Sequence, residues 1–199
     1  TTFVDDCQWD RSAEYTVSGA TLDTINGWYL IDAYGESVKV KDSFSSGYVR
    51  FRSSMSVTNP VTASYRQLYL KDAGDVEGTI RLMLKLDEAR VLSFILQRRN
   101  STEFVGVGLY TYGTYTNDTV LDIGVYLDET TCRVDLNRLE VISATVGSNN
   151  GICKPLLIHE GDGSASAINW KIYNLQIIAA SSDATNGIAA CIPPIGGGA

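Results

Sequence analysis

Residues 78–97, GTIRLMLKLDEARVLSFILQ from Gly78 to Gln97, decide how the rest of the chain is read. Ile80, Leu82, Leu84 and Leu86 fall on every second position, with Arg81, Met83, Lys85 and Asp87 between or after them. A period of two is that of a strand with one face in the core and the other toward water. Leu92, Phe94 and Leu96 resume it after Asp87-Glu88-Ala89-Arg90, a polar break of hairpin-loop length. Local preference opposes this reading, since Leu, Met, Lys, Glu, Ala and Arg all favour helix. One helix would nevertheless scatter the apolar side chains around its whole circumference, and nothing nearby resembles a cap. The stretch is expected to be a long antiparallel hairpin at the centre of a sheet.

Strand patterns continue on both sides. Upstream lie Glu14 to Val17, Trp28 to Ile31 after the turn dipeptide Asn26-Gly27, Ser37 to Lys41, Gly47 to Arg52, and Tyr65 to Lys71. Downstream, Thr102 to Tyr112 leads to Val120–Asp128, where Leu121, Ile123, Val125 and Leu127 alternate with Asp122, Gly124, Tyr126 and Asp128. Cys132 to Leu136, Leu139 to Val146, Ile152 to His159 and Ile168 to Ala180 follow. The last strand changes face near Asn174, from Trp170 and Ile172 to Leu175 and Ile177, which predicts a bulge. About a dozen short strands separated by turn signals, with no convincing helix, predict an all-β antiparallel sandwich.

The 199 residues suit one large β domain. A net charge of −7 argues against nucleic acid, which needs clustered Lys and Arg. The basic residues Arg50, Arg52, Arg81, Lys85, Arg98 and Arg99 read as solvent faces or ends of strands. No apolar run approaches the roughly 20 residues of a membrane helix, so no membrane insertion is expected. The start, Thr1-Thr2-Phe3, reads as that of a processed chain or of the ordered part of a longer one. Four cysteines without metal-site spacing suggest two disulfides and an extracellular setting. Cys132 with Cys153 is a sensible pair because their strands are near each other, leaving Cys7 with Cys191; other pairings stay open. A bridge closing so long a loop would stabilise by about 4–5 kcal/mol in the chain-entropy model.

Three parts are expected: an N-terminal segment 1–21, a domain over 22–180, and a small-residue, Pro- and Gly-rich tail over 181–199. From Leu22 to Ala180 the order of elements resembles the concanavalin A-like lectin/glucanase (LamG-like) jelly roll. An early strand at Trp28, long central strands, a small-residue loop over Gly161–Ser166 and the closing WKIYNLQII carry that resemblance. It implies a jelly roll, and relatives that bind glycans or cleave them with two carboxylates of a Glu-x-Asp-x-x-Glu run on one strand. No such run occurs here. Asp122 and Asp128 would lie about 20 Å apart along a strand, too far to cooperate, and Asp75 with Glu77 has no third member.

The other constellations are sparse. His159 is the single histidine and has no Gly-x-Ser-x-Gly elbow for company, so it reads as a structural strand-end residue. Glu160, Asp162 and Ser164 are oxygen-rich enough to suggest calcium but fall short of a loop site, so no cofactor is expected. Asn100-Ser-Thr102 and Asn117-Asp-Thr119 are N-glycosylation sequons. Tyr110, Tyr112 and Tyr115 could stack on sugar rings, whereas Trp28 and Trp170 read as packing residues.

The function expected first is a non-catalytic extracellular assembly subunit of a fibre, filament, sheath or particle. Phe3, Val4, Trp9, Ile188, Ile192 and Ile195 in its terminal segments would contact neighbouring copies in a homo-oligomer or polymer. The alternative is a lectin-like carbohydrate-binding module, and a glycan-cleaving enzyme is third.

Overall fold

A computed structural model describes residues 2–5, 15–41, 43–44, 47–58, 64–70, 76–149, 152–153, 155–161 and 168–179. All regular structure in them is strand. In chain order the strands are β1 (Thr2–Asp5), β2 (Tyr15–Ser18), β3 (Thr21–Asp23), β4 (Trp28–Ile31), β5 (Ser37–Val40) and β6 (Ser43–Phe44). Then come β7 (Gly47–Val57), β8 (Ser64–Tyr69), β9 (Ile80–Leu86), β10 (Val91–Arg99), β11 (Phe104–Thr114) and β12 (Leu121–Leu127). The chain closes with β13 (Thr131–Leu136), β14 (Leu139–Thr145), β15 (Ile152–Cys153), β16 (Leu156–Gly161) and β17 (Ile168–Ala179).

They build two antiparallel sheets. The first runs β14-β13-β12-β7-β17-β4-β3, with β1 also on β17, and the second runs β11-β10-β9-β8-β16-β5-β2. The small pair β15-β6 stands apart. This is a β-sandwich of the jelly-roll kind, as the alternation predicts.

The decisive stretch is β9 and β10, paired from Leu86 opposite Leu92 to Ile80 opposite Arg98. Arg90, with a φ of 63°, closes the loop and donates its N–H to Asp87 O at 2.9 Å. The Asp87 carboxylate accepts the Val91 N–H at 2.8 Å. Leu82, Leu84, Leu86, Leu92, Phe94 and Leu96 are all 0–1% exposed. Across the sandwich they belong to one cluster with Phe51, Ile123, Val125 and Trp170 of the first sheet. Each such side chain contributes roughly 1.5–3 kcal/mol of burial, enough to override helix preference in a stretch whose alternation fits a strand.

The expected bulge is present, as a register shift between Ile172 and Asn174. It lets Trp170, Ile172 and Leu175 all reach the core. Along one side of the sandwich the edge strands β11 and β14 come together. A Cβ on Gly108 of β11 would lie 2.4 Å from Ile142 Cγ2 of β14, so only glycine allows that approach.

Several expectations need correction. The segment 1–21 contributes to the chain's own sheets: β1 pairs with β17, Phe3 opposite Ile177 and Val4 opposite Gln176, and β2 belongs to the second sheet. Arg50 is not a solvent-facing residue. It is 8% exposed and ion-paired, through two contacts, with Asp122 on the neighbouring strand. Cys132 is a free thiol at 0% exposure, packed in the core and not bridged to Cys153, and burial pushes its pKa up to about 12. Cys7, Cys191, Trp9, Ile188, Ile192, Ile195, Asp75, Asp162 and Ser164 lie outside the described residues.

Candidate functional site

The tyrosines that suggested a sugar platform face the wrong way. Tyr110 pairs with core-facing Phe94 at the sandwich edge, and Tyr112 packs against the same core. Tyr115 is 1% exposed, and its ring lies 6.5 Å from that of Tyr112. Register shifts at two places in the pairing of β10 with β11 put these rings inward and leave Leu109 66% exposed. An entirely buried phenol cannot stack on a ligand.

The outward face of the second sheet carries the groups that can. Pairing places Gln97, Arg81, Tyr69 and Leu156 in one row across β10, β9, β8 and β16. Leu109, Ile95, Met83, Gln67 and Ile158 form the next row, starting on β11. Ser93, Lys85 and Tyr65 form a third, which ends opposite Glu160. Phe104 of β11 sits opposite Arg99.

Arg81 is the centre. Its Nη1 donates to Gln67 Oε1 at 2.9 Å and to Tyr69 OH at 2.8 Å, and its Nε to Gln97 Oε1 at 2.7 Å. The guanidinium carbon stands 3.8 Å from the centre of the Phe104 ring and 5.5 Å from that of Tyr69. Those two rings meet edge to face at 5.8 Å. Arg99 approaches Phe104 from 5.4 Å. Cation–π contact and three hydrogen bonds fix one orientation of a planar group that would otherwise sample many. Gln67 and Tyr69 point away from the core yet are only 5% and 7% exposed, so this face is recessed around Arg81.

The sequence reading placed Arg81 and Lys85 on a water-facing surface and did not connect them to Gln67, Tyr69, Gln97 and Phe104. Hairpin register is the signal that would have joined Arg81 to Gln97. Tyr69 and Phe104 come from other strands and show no local pattern.

The remaining candidates have structural partners. Asp122 is held by Arg50. His159 is 9% exposed beside Tyr34, and burial, reinforced by Arg66, takes its pKa down to about 4. Asn117 is tied to Val57, its Oδ1 accepting the backbone N–H at 3.1 Å and its Nδ2 donating to the carbonyl at 3.0 Å. Asn100 lies in a turn, its Oδ1 accepting the Thr102 and Glu103 N–H groups at 2.8 and 2.7 Å. Trp170 is buried at 0% exposure, whereas Trp28 lies half-buried against Tyr173, with the Lys171 ammonium 4.7 Å from its ring centre. Lys171 is itself paired with Asp118 at 3.2 Å. Arg98 Nη2 donates to Ser148 O at 3.1 Å. Among the described residues, no group of three or more His, Cys, Asp or Glu could hold a metal ion.

No protein-family model matches this sequence, and no curated protein does. Solved structures do match, and they define the fold as the concanavalin A-like jelly roll of glucanases and lectins. A β-glucanase of Bacillus licheniformis superposes with a TM-score of 0.68 at 6% identity, over 90% of this chain and 98% of its own. The carbohydrate recognition domain of Emp47p gives 0.68 at 11% identity, over 90% and 95%. A legume lectin-like domain from Entamoeba histolytica gives 0.62 at 11% identity, over 85% and 92%.

Proposed function

We propose that this chain is a non-catalytic carbohydrate-binding domain whose site is the recessed outer face of the second sheet around Arg81. The observation that carries the reading is the cluster itself. The half-buried Phe104 ring, a fixed guanidinium and the Gln97 amide converge there over a floor made by Tyr69 and Gln67, the mixture of flat apolar and directional polar groups that sugar rings require. The neighbours named as glucanases and carbohydrate recognition domains favour glycan as the ligand over an assembly role. The filament reading has no such support, since two of the residues meant for neighbouring copies, Phe3 and Val4, lie in a strand of the chain's own sheet.

Absence of catalysis is part of the proposal. The two rows around Arg81 contain no carboxylate, whereas glycoside cleavage needs a pair. An extracellular or cell-surface setting follows from a glycan ligand and no longer from the cysteines.

Retention of the purified chain on a panel of immobilised neutral and acidic polysaccharides tests the reading. At least one should retain it, and Phe104→Ala and Gln97→Ala should each weaken retention while leaving the dichroism spectrum unchanged. Retention indifferent to both substitutions would move the site elsewhere. Failure to bind any glycan, or release of reducing ends from a bound one, would overturn the reading.

A further inference from the structure

We infer that the glycan bound at this face is acidic, carrying uronate carboxylates or sulfate esters. The inference rests on the carbohydrate-binding reading and takes its evidence from which hydrogen-bonding groups at the site are already used.

A guanidinium has five N–H donors and no acceptor. Arg81 spends three, on Gln67 Oε1, Tyr69 OH and Gln97 Oε1. The two on Nη2 have no acceptor among the described residues. Each amide oxygen already receives one N–H of the same arginine, while Gln67 and Gln97 each keep an NH2 group, a donor. Lys85 lies two rows away on the same face and adds an ammonium at the far side of the patch. What the centre of the face offers a ligand is therefore nearly all donors. A neutral sugar hydroxyl both donates and accepts, and a site for it pairs donors with acceptors. A carboxylate or sulfate only accepts, and meets a fixed guanidinium with the strongest geometry available to it.

Charge points the same way. On the first sheet three cations are paired with carboxylates: Arg50 with Asp122, Lys171 with Asp118, and Arg133 with Glu140 at 3.8 Å. Among the described residues Arg81 donates only to neutral acceptors, so its charge is left for a ligand. Acidic residues stand at the rim, Glu77 and Glu103 in the turns flanking Arg99 and Glu160 opposite Tyr65. The two central rows contain none. In a chain of net charge −7 this cationic centre runs against the overall composition.

Affinity electrophoresis of the intact chain in gels containing polygalacturonate, alginate, heparin or chondroitin sulfate, with β-glucan and mannan as neutral counterparts, tests this. Acidic polymers should retard the chain, and the retardation should fade between low salt and about 0.5 M salt as charges are screened. Arg81→Gln should weaken binding about 10-fold, and Arg81→Lys should recover only part, because an ammonium lacks the fork. Lys85→Gln, at a half-buried position, should weaken it less and make the salt dependence shallower. Uronate-only or sulfate-only binding would each support the inference and name the source. Binding to neutral glucan or mannan that is unaffected by Arg81→Gln and Lys85→Gln would overturn the acidic assignment and leave the carbohydrate reading standing. No binding to any polymer would overturn both.

Discussion

The hydroxyl of Tyr115 accepts the backbone N–H of Met55 at 2.8 Å and donates to Thr119 O at 2.6 Å, tying the end of β11 to the opposite sheet. Met55 is 2% exposed, so water has little access to its N–H once the hydroxyl is gone. Tyr115→Phe is expected to lower unfolding free energy by about 2 kcal/mol, the cost of a stranded buried donor. Urea denaturation measures it, and glycan retention should not change. Full stability in the phenylalanine variant would mean the bond contributes nothing.

Asn117 acts as a substitute strand partner for Val57, using both ends of its amide. Its oxygen also receives the Arg90 guanidinium. Asn117→Ala should cost about 1–2 kcal/mol by the same measurement. A glycan attached at Asn117 would compete with the bond to the Val57 carbonyl, whereas the exposed turn at Asn100 commits only its oxygen. In secretory expression, then, Asn100→Gln should remove attached mass, at the cost of the two turn bonds from the Thr102 and Glu103 N–H groups.

Asp122→Asn removes the carboxylate bonded to Arg50 and leaves its charge only the more distant Asp135. The pair is 9% and 14% exposed, so a loss of about 3 kcal/mol is expected, the low end for a broken buried pair. A double-mutant cycle with Arg50→Met should recover part of it. Strict additivity would show that the two groups do not interact.

His159 supplies a pH signature. Burial and the Arg66 charge lower its folded pKa to about 4, with the Ala33 backbone and the Glu36 carboxylate opposing. Unfolded, it titrates near the ordinary 6.5, so between those values the unfolded chain binds the extra proton. Its contribution to stability is fully present above about pH 6.5 and is lost as pH falls toward 4. Denaturation midpoints followed over that window should decline, and His159→Gln should flatten the decline. An equal slope in the variant would assign the effect to other groups.

Much of this architecture was legible in residues 78–97 alone. In an antiparallel pair, opposed residues share a face, and the core residues of both strands, Leu86 and Leu92 among them, are even-numbered. The two numbers in each pair must therefore sum to an even value, which permits Leu86 opposite Leu92 and with it Arg81 opposite Gln97. Arg50 was misread because alternation assigns a side to a residue but says nothing of what stands beside it. On β7 it is the Asp122 carboxylate of the neighbouring β12 that holds Arg50 down, while Arg52 two residues further on stays exposed. Tyr115 was misread for a different reason, since a tyrosine in a polar loop looks the same whether its ring meets ligand or core. The Arg81 cluster draws on four strands spread from Gln67 to Phe104, and contacts between strands not joined by a tight loop depend on the sheet order, which no local pattern reports.

The sealed thiol of Cys132 has a use beyond packing. β13 lies between β12 and β14, so the sulfur meets a soluble reagent only when these strands separate. With the other three cysteines replaced by serine, a thiolate-selective label would consequently count opening events at one known place, turning this cysteine into a clock for how often the first sheet breathes.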